Sequence, residues 1–416
     1  MQRGLSVLYE RLGDIAKARN DYSAAEGYYA KDLAIRERLA EKYPEDPNLQ
    51  RGLSVQYGNL GDIAKARNDY NAAKEYYAKS LEIRERLAEK YPDDPNLQRD
   101  LSVSYNKLGD IAKALKDYNA AEGYYAKALG IGERLAEKYP EDPNLQRDLS
   151  VSYNDLGDIA EARNDYKAAE GYYTKALEIR ERLAEKYPED PNLQSDLSLS
   201  YERLGEIAKA RNDYRAAEGD YAKAFEIRER LAEKYPEDPN LQRDLSVSYG
   251  NLGGIAKARN DYKAAEGYYA KALEIDERLA KKYPGVPMLK DDLAVSLFRC
   301  GTCSADGKLS SEQKAMLRDA AAIWEELYKQ TGYELYAERR EIAQNRLNQC
   351  SEQGGKNMKQ KKPGFFAQLR EKIRAYREMR MLIRMFEIME KTDRKLAKAI
   401  EEADELVQSD ETDDEE

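Results

Sequence analysis

The sequence predicts an all-α, superhelical solenoid of stacked helix hairpins, and three observations support this fold class. A segment of 48 residues recurs six times almost unchanged and a seventh time in a decayed form. Apolar residues within each copy recur at helical spacing, and proline-containing motifs separate the copies. A unit that repeats in this way is expected to stack on its neighbours. The copies share an opening leucine, at Leu5, Leu53, Leu101, Leu149, Leu197, Leu245 and Leu293.

The first helix of each copy is predicted from its start signal and its apolar stripe. In the copy that spans residues 93–140, Asp94 can cap free backbone amides, and Pro95 suits the first helical position. Apolar side chains then follow at i, i+4, i+7 and i+11, which places them on one face of the helix. This stripe consists of Leu101, Tyr105, Leu108 and Ala112.

The second helix follows a short turn, in which Asp117 and Tyr118 come after Lys116. Its apolar side chains also share one face, and Pro140 is expected to stop it. Two helices of about 20 residues, each about 30 Å long, would then pack as an antiparallel hairpin. The apolar face of the second helix consists of Ala121, Tyr125, Ala128, Leu135 and Tyr139.

These positions resemble the tetratricopeptide repeat, and the resemblance recurs in six copies across residues 1–290. The usual unit of that family has 34 residues, and its second helix ends at a proline. Here Glu133 occupies that place, and the helix continues through "ERLAEKY". The copies are therefore similar to the long-helix variants of kinesin light chains and of bacterial signalling proteins. The matching residues are Tyr105 (usually Trp in the family), Leu108, Gly109, Tyr118, Ala121, Tyr125 and Ala128.

The resemblance implies a concave groove, lined by the first helix of each repeat, that holds an extended peptide or a partner helix. The first two members of each groove set change freely between copies. A binding surface would vary in this way, and so would an unconstrained surface. The sets mix acids, Asn and Lys, so they do not indicate the family's basic, Asn-rich clamp for a peptide carboxylate. The sets are Glu10, Arg11, Asp14, Lys17; Gly58, Asn59, Asp62, Lys65; Asn106, Lys107, Asp110, Lys113; Asn154, Asp155, Asp158, Glu161; Glu202, Arg203, Glu206, Lys209; and Gly250, Asn251, Gly254, Lys257.

The two ends of the repeat array differ. Met1 aligns with Leu49, so the chain begins inside a repeat without the Asp-Pro start. We expect either a fragment that lacks an upstream part or an end that another surface covers, for example in an oligomer. At the other end, residues 291–350 are predicted to form the degenerate seventh repeat and a helical cap. Helical patterns there span residues 310–330, with Trp324, and 333–348.

Charge is segregated in the last part of the chain. Residues 351–364 are predicted to be a flexible basic linker, residues 365–407 a basic amphipathic helix and residues 408–416 an acidic, disordered tail. Such a helix can lie on an anionic membrane, dock into a groove, pair as a coiled coil or be masked by the protein's own acidic segments. The cationic residues of the basic helix are Arg370, Arg374, Arg377, Arg380 and Arg384.

The composition excludes several classes of function. The chain has no histidine, which removes Ser-His-Asp and Cys-His catalysis and histidine-ligated zinc. Cys300 and Cys303 form a CxxC motif. We predict that both are small buried residues of the cap, and the alternative is a labile disulfide between them. A net charge of −10 and the lack of recognition motifs disfavour nucleic acid. No cofactor or metal is predicted. The sequence has no segment able to span a membrane, so we expect a cytoplasmic protein.

These observations predict a non-enzymatic interaction protein. In the first hypothesis, the chain is a scaffold that holds a protein or peptide in the concave groove. In the second, it is a regulatory or sensor arm of a larger signalling protein, whose basic C-terminal helix contacts an anionic membrane or a partner. The two hypotheses differ in which segment makes the productive contact.

Overall fold

A computed structural model describes residues 2–352, and this part of the chain consists of fifteen helices with no strand among them. Consecutive helices pack against each other along the chain, so the all-α solenoid is confirmed. The helices are α1 (Gln2–Ala18), α2 (Tyr22–Lys42), α3 (Pro47–Ala66), α4 (Tyr70–Lys90), α5 (Pro95–Ala114), α6 (Tyr118–Lys138), α7 (Pro143–Ala162), α8 (Tyr166–Lys186), α9 (Pro191–Ala210), α10 (Tyr214–Lys234), α11 (Pro239–Ala258), α12 (Tyr262–Lys282), α13 (Pro287–Gly301), α14 (Ser311–Thr331) and α15 (Glu334–Glu352).

The predicted start and stop signals act at the predicted places. The carboxylate of Asp94 accepts hydrogen bonds from the first free amides of α5, at 2.8 and 3.3 Å, and Pro95 is the first helical residue. Asp117 caps α6 in the same way, so Tyr118 begins that helix and does not belong to the turn. Tyr139 is the C-terminal cap of α6, one residue before Pro140.

Each hairpin is held close by a glycine that faces a buried tyrosine. A Cβ atom at Gly109 would lie 2.5 Å from the Tyr125 ring, which is too short for any real contact. Tyr125 is fully buried and packs with Ala112 of its own hairpin and with Leu156 and Ile159 of the next hairpin. The same ring therefore packs between the two helices of its own hairpin and also forms part of the interface with the following hairpin. Because each hairpin buries its apolar face on its neighbour, the array is stabilised mainly by contacts between adjacent units.

The last three helices depart from the repeat pattern. Val286 replaces the capping aspartate of α13 and gives no side-chain cap. Trp324 of α14 is buried against Phe298, and its indole N–H donates to Asp291 at 2.7 Å. The helix α15 continues to Glu352, past residue 351, where the linker was predicted to begin. The buried Trp324 therefore joins α14 to the last helix of the repeat array.

The predicted basic helix, residues 365–407, and acidic tail, residues 408–416, lie outside the described residues, as does the linker beyond Glu352. None of the described helices carries an apolar stretch that could cross a membrane.

Candidate functional site

The predicted groove residues all lie on the first helices of the six hairpins, α1, α3, α5, α7, α9 and α11. We call the surface that they form the first-helix face. The structure brings most of them into contact with one another or with the second helices. The sequence predicted their positions but not these contacts.

A ladder of ion pairs runs along the first-helix face from one hairpin to the next. The Lys17 ammonium lies 3.4 Å from the Asp62 carboxylate, 45 residues later. The next step joins Lys65 to Asp110 at 2.7 Å. The step after it joins Lys113 to Asp158 at 2.5 Å. Each acid of the ladder therefore takes a lysine from the preceding hairpin.

Two of these acids also take a cation from the following hairpin. The Lys107 ammonium lies 2.6 Å from Asp62, and the Arg203 guanidinium lies 3.8 Å from Asp158. Burial opposes the ionisation of Asp62, but Lys107 and the hydrogen bond from Tyr77 outweigh it, so the pKa of Asp62 lies below its ordinary value. The carboxylate is therefore held ionised at the centre of three hairpins.

Tyrosine hydroxyls hold the ladder acids from beneath. Tyr77 donates to Asp62 at 2.7 Å, and Tyr125 donates to Asp110 at 2.8 Å. Burial and the neighbouring carboxylate raise the pKa of each tyrosine, so the hydroxyls remain protonated donors. The same bond joins Tyr29 to Asp14 and Tyr173 to Asp158. Tyr173 also donates to Glu161 at 2.9 Å.

One position next to the ladder acids carries a carboxylate where the neighbouring hairpins carry a cation. Asp155 occupies the place that Lys107 and Arg203 take in neighbouring hairpins, and it faces Asp110 and Asp158. Burial, together with those two carboxylates, raises the pKa of Asp155 to about 7. Near neutral pH this carboxyl is therefore only partly ionised.

A second set of contacts, which sequence reasoning missed, connects the first-helix face to the interior. Arg84 is 8% exposed and donates to the hydroxyls of Ser54 and Ser104, both at 3.1 Å. Arg180 bridges the matching serines two hairpins later, Ser150 and Ser200. We call Arg36, Arg84, Arg180 and Arg228 the arginine column; each occupies the same position of its second helix.

The arginine column explains part of the variation at the first member of each groove set. Arg36 pairs with Glu10 at 2.7 Å, and Arg228 pairs with Glu202 at 2.6 Å. The amide oxygen of Asn154, turned toward the guanidinium, accepts from Arg180 at 2.6 Å. These groove residues are matched to a partner inside the protein, so their variation is not free. The periodic arginine in the second helices was the signal that could have indicated this.

The remaining groove residues fall into two groups. Some have internal partners: Asn251 donates to Glu202 at 2.7 Å, Arg203 pairs with Glu206 at 3.0 Å, and Lys257 donates to the backbone oxygen of Thr302 at 3.0 Å. Asn59 donates to Gln56 of its own helix, at 3.3 Å. By contrast, the side chains of Arg11 and Lys209 make no hydrogen bond or ion pair within residues 2–352, and both residues are exposed. In Asn106, the buried side-chain oxygen has no partner there.

The CxxC motif contains two free thiols in this structure, Cys300 and Cys303. Burial raises the pKa of Cys300 to about 12, which keeps it protonated and disfavours thiolate chemistry. In the described part of the chain, no group of three His, Cys, Asp or Glu side chains is arranged to hold a metal ion.

Comparison with known families supports the repeat assignment. Two family models, each described as tetratricopeptide repeat, match the chain. One matches residues 53–121, 100–182 and 148–218, and the other matches residues 7–48, 198–240 and 245–281. These matches fall within the hairpins from α1 to α12. No protein of curated function matches the sequence.

Several solved structures are similar to this chain. BtubC (BKLC) from P. vanneervenii matches with a TM-score of 0.49 at 24% identity, covering 64% of this chain and 93% of that one. A tetratricopeptide repeat protein from Parabacteroides merdae matches with a TM-score of 0.40 at 15% identity, covering 82% and 100%. A Rap protein complexed with competence and sporulation factor matches with a TM-score of 0.45 at 14% identity, covering 84% and 98%.

Proposed function

The chain belongs to the tetratricopeptide repeat family, and we propose that it is a non-enzymatic scaffold that binds a protein or peptide along the first-helix face. Repeats of this family serve protein interaction, and the proposal assigns that role to a particular surface. The observation that carries it is the ladder, because it fixes charged side chains in a row while leaving them partly exposed. The side chains of Lys65 and Asp110 are each 40% exposed although they pair with each other.

A pre-formed row of polar groups favours binding because less side-chain entropy is lost when a partner arrives. Asp110 accepts from Lys65 and Tyr125 with one carboxylate oxygen each, and a carboxylate oxygen can accept more than one hydrogen bond. Apolar contact area is also present on this face, since Val151 of α7 is 36% exposed. The surface thus combines modest polar and apolar contacts, which suits an extended peptide or a partner helix.

The groups with the most capacity for a partner are those that the ladder does not use. Arg11 is exposed, and its side chain makes no hydrogen bond or ion pair with the described residues. Its charge can therefore be reversed without breaking an internal bond. Asp110 and Asp158 are less suitable for such a test, because a change at either would also break the ladder.

The experiment is affinity capture from the source lysate with three full-length baits. The first is the wild-type chain. The second carries Arg11→Glu and Val151→Arg on the first-helix face. The third is a matched control with Glu45→Lys and Asp93→Lys, two loop acids whose side chains are 84% and 92% exposed. Circular dichroism and thermal unfolding of each bait would establish that all three are folded.

A protein retained by the wild-type and control baits but lost from the groove variant would support the proposal. A protein retained equally by all three baits would contradict it, because recognition would then lie off the first-helix face. Hydrogen exchange of the wild-type complex would locate the contact, and we expect added protection in α1 and α7.

A further inference from the structure

The ladder has one position at which its acid is missing while all of its donors remain. Asp62 is held by Lys17 from the preceding hairpin, by Lys107 from the following one and by the Tyr77 hydroxyl. Four repeats later the matching acid is replaced by Gly254. The residues that correspond to the three donors are Lys209, Arg299 and Tyr269.

The geometry around Gly254 confirms that two of these donors surround the vacant position. A Cβ atom at Gly254 would lie 3.8 Å from the Lys209 ammonium and 4.0 Å from the Tyr269 hydroxyl. Both distances are ordinary contacts, so the space of a short acidic side chain is open. Within residues 2–352, neither the ammonium nor the hydroxyl makes a hydrogen bond.

The third donor, Arg299 of α13, reaches α11 beside Gly250, one helical turn before Gly254. A guanidinium nitrogen of Arg299 lies 1.8 Å from the place that a Cβ at Gly250 would occupy, so only glycine admits the guanidinium there. Burial raises the pKa of Tyr269 to about 12, and the Arg299 charge acts in the opposite direction, which is consistent with a guanidinium close to that hydroxyl. Arg299 makes no ion pair with the described residues.

The nearby acids do not fill the vacancy. Glu202 is engaged by Arg228 at 2.6 Å and by Asn251 at 2.7 Å. Glu206 is engaged by Arg203 at 3.0 Å. Asp276 is 2% exposed and accepts a hydrogen bond from Ser296 at 2.5 Å. The Lys209 ammonium and the Tyr269 hydroxyl therefore face a gap that these carboxylates leave open, and the Arg299 guanidinium lies one helical turn from it, beside Gly250.

We propose that Lys209, Arg299 and Tyr269 form a subsite, centred on Gly254, that binds the side-chain carboxylate of an aspartate or glutamate in a peptide partner. This inference rests on the proposed function, because it adds a chemical preference to one end of the first-helix face. The chemistry follows from the Asp62 position, where the corresponding groups hold a carboxylate. Charge-assisted hydrogen bonds from lysine and arginine are the strong contacts that a carboxylate makes in proteins.

The test uses the full chain and two short, end-capped, fluorescent peptides, one rich in glutamate and the other with glutamine in the same places. Binding is measured by fluorescence anisotropy. We expect the glutamate peptide to bind the wild-type chain about tenfold or more tightly than the glutamine peptide. Equal binding of the two peptides, or binding of neither, would overturn the subsite.

Two variants locate the contact. Gly254→Asp places a tethered carboxylate between the donors, so we expect it to weaken the glutamate peptide about tenfold or more. Lys209→Met removes one donor and should also weaken that peptide. The matched control is Gly267→Asp, which makes the same change in the same repeat on the exposed side of α12, in open space. It should leave peptide binding as in the wild-type chain.

Thermal unfolding gives a second readout. Gly254→Asp should raise the unfolding temperature relative to Gly267→Asp, because it supplies the missing acid of the ladder. If Gly254→Asp neither weakens binding of the glutamate peptide nor raises stability, the proposed subsite is wrong.

A competition experiment tests the chemical class of the ligand. Displacement of the peptide by inorganic phosphate at lower concentration than by glutarate would overturn the assignment to a carboxylate. If the subsite fails these tests but a partner is still lost from the Arg11→Glu, Val151→Arg bait, binding along the first-helix face stands and only the subsite is wrong.

Discussion

The ammonium of Lys107 lies 2.6 Å from the carboxylate of Asp62, which belongs to the preceding hairpin. The same ammonium lies 5.2 Å from the centroid of the Tyr77 ring, whose hydroxyl donates to the same carboxylate. With Lys17 at 3.4 Å, three consecutive hairpins meet at one acid. The side chains that form the proposed binding face therefore also hold the stack together, so stability and binding can be altered by the same substitutions.

Replacement of Asp62 by asparagine should destabilise the array at neutral pH by about 1 to 2 kcal/mol, because the change removes one charge-assisted contact from each of two lysines. The pKa of Asp62 in the folded protein is lowered from 3.8. A lowered folded pKa means that the contribution is fully present above pH 3.8 and is lost as the pH falls through the folded value. The difference between wild type and Asp62→Asn should therefore shrink in acid.

Urea unfolding followed by circular dichroism at pH 7 and at pH 3 would measure this. Asp93→Asn is the control, since that side chain is 92% exposed. An unchanged urea midpoint for Asp62→Asn at pH 7 would mean that the ladder contributes nothing to stability.

Replacement of Asp155 by asparagine should have the opposite effect. Burial, with Asp110 and Asp158 nearby, raises the pKa of Asp155 to about 7, above its ordinary value of 3.8. The folded state then holds its proton more tightly than the unfolded state, so wild-type stability should fall as the pH rises from about 4 to about 7. Asp155→Asn removes this loss of stability, so the variant should be more stable than wild type at pH 8 by roughly 2 to 4 kcal/mol.

Near pH 4 the asparagine variant and the wild type should be similar, because the wild-type carboxyl is then neutral in the folded protein. Asp155→Lys restores the charge found at Lys107 and should be at least as stable as the asparagine variant at pH 8. Thermal unfolding across pH 4 to 8 would measure both. A constant gap between wild type and Asp155→Asn over this range would show that Asp155 does not titrate there.

Much of the fold could be predicted from the sequence because its signals are local. Asp94 and Pro95 act within one turn of the helix that they begin. The Gly109–Tyr125 contact lies within one hairpin and recurs at the same spacing in all six well-preserved copies. Local signals of this kind do not depend on how the hairpins stack.

The contacts between hairpins were not predicted, because they depend on the stacking geometry. Lys17 and Asp62 are 45 residues apart, and the sequence does not say which turns of two helices lie side by side. The sequence "EIRERLAEKY" contains two arginines, and only the structure shows that Arg84 is buried while Arg86 is exposed. The variation at Glu10 and Glu202 is compatible with a binding surface or with an unconstrained surface, because the sequence alone does not place Arg36 and Arg228 beside them.

The turn between α5 and α6 contains a residue, Lys116, whose side chain is poorly suited to the backbone conformation there. Lys116 has a φ of 61°, the left-handed region that a long side chain adopts at a cost, whereas the five matching turns have asparagine. Lys116→Asn should stabilise the protein by about 0.5 to 1 kcal/mol, because asparagine tolerates this conformation. It would also give the Tyr118 hydroxyl an acceptor, as Asn68 does for Tyr70 at 3.2 Å.

The reverse change, Asn68→Lys, should destabilise by a similar amount, and thermal unfolding of the two variants would test both directions. Lys116 is exposed, so the comparison is free of packing changes. If neither variant differs from wild type, the backbone strain assigned to Lys116 is negligible.

The third hairpin lacks its member of the arginine column, since Gly132 takes that place. The nearest atoms to a Cβ at Gly132 belong to Leu149, at 3.6 Å or more, so a side chain fits at its base. An arginine there could bond to the buried oxygen of Asn106, which has no partner among the described residues. In the next hairpin, Asn154 accepts from Arg180 in this way.

Gly132→Arg should therefore stabilise the protein more than Gly132→Ala does. The alanine change gains about 1 kcal/mol from helix propensity alone, and the arginine should add about 1 kcal/mol through hydrogen bonds to a charged group. Burial of the guanidinium opposes this gain, as shown by the pKa of Arg180, which burial lowers to about 10. Gly130→Ala, at an exposed glycine with open space around it, measures propensity without burial. Urea unfolding of the three variants decides the balance: if Gly132→Arg is no more stable than Gly132→Ala, the desolvation cost of the arginine column cancels its hydrogen bonds.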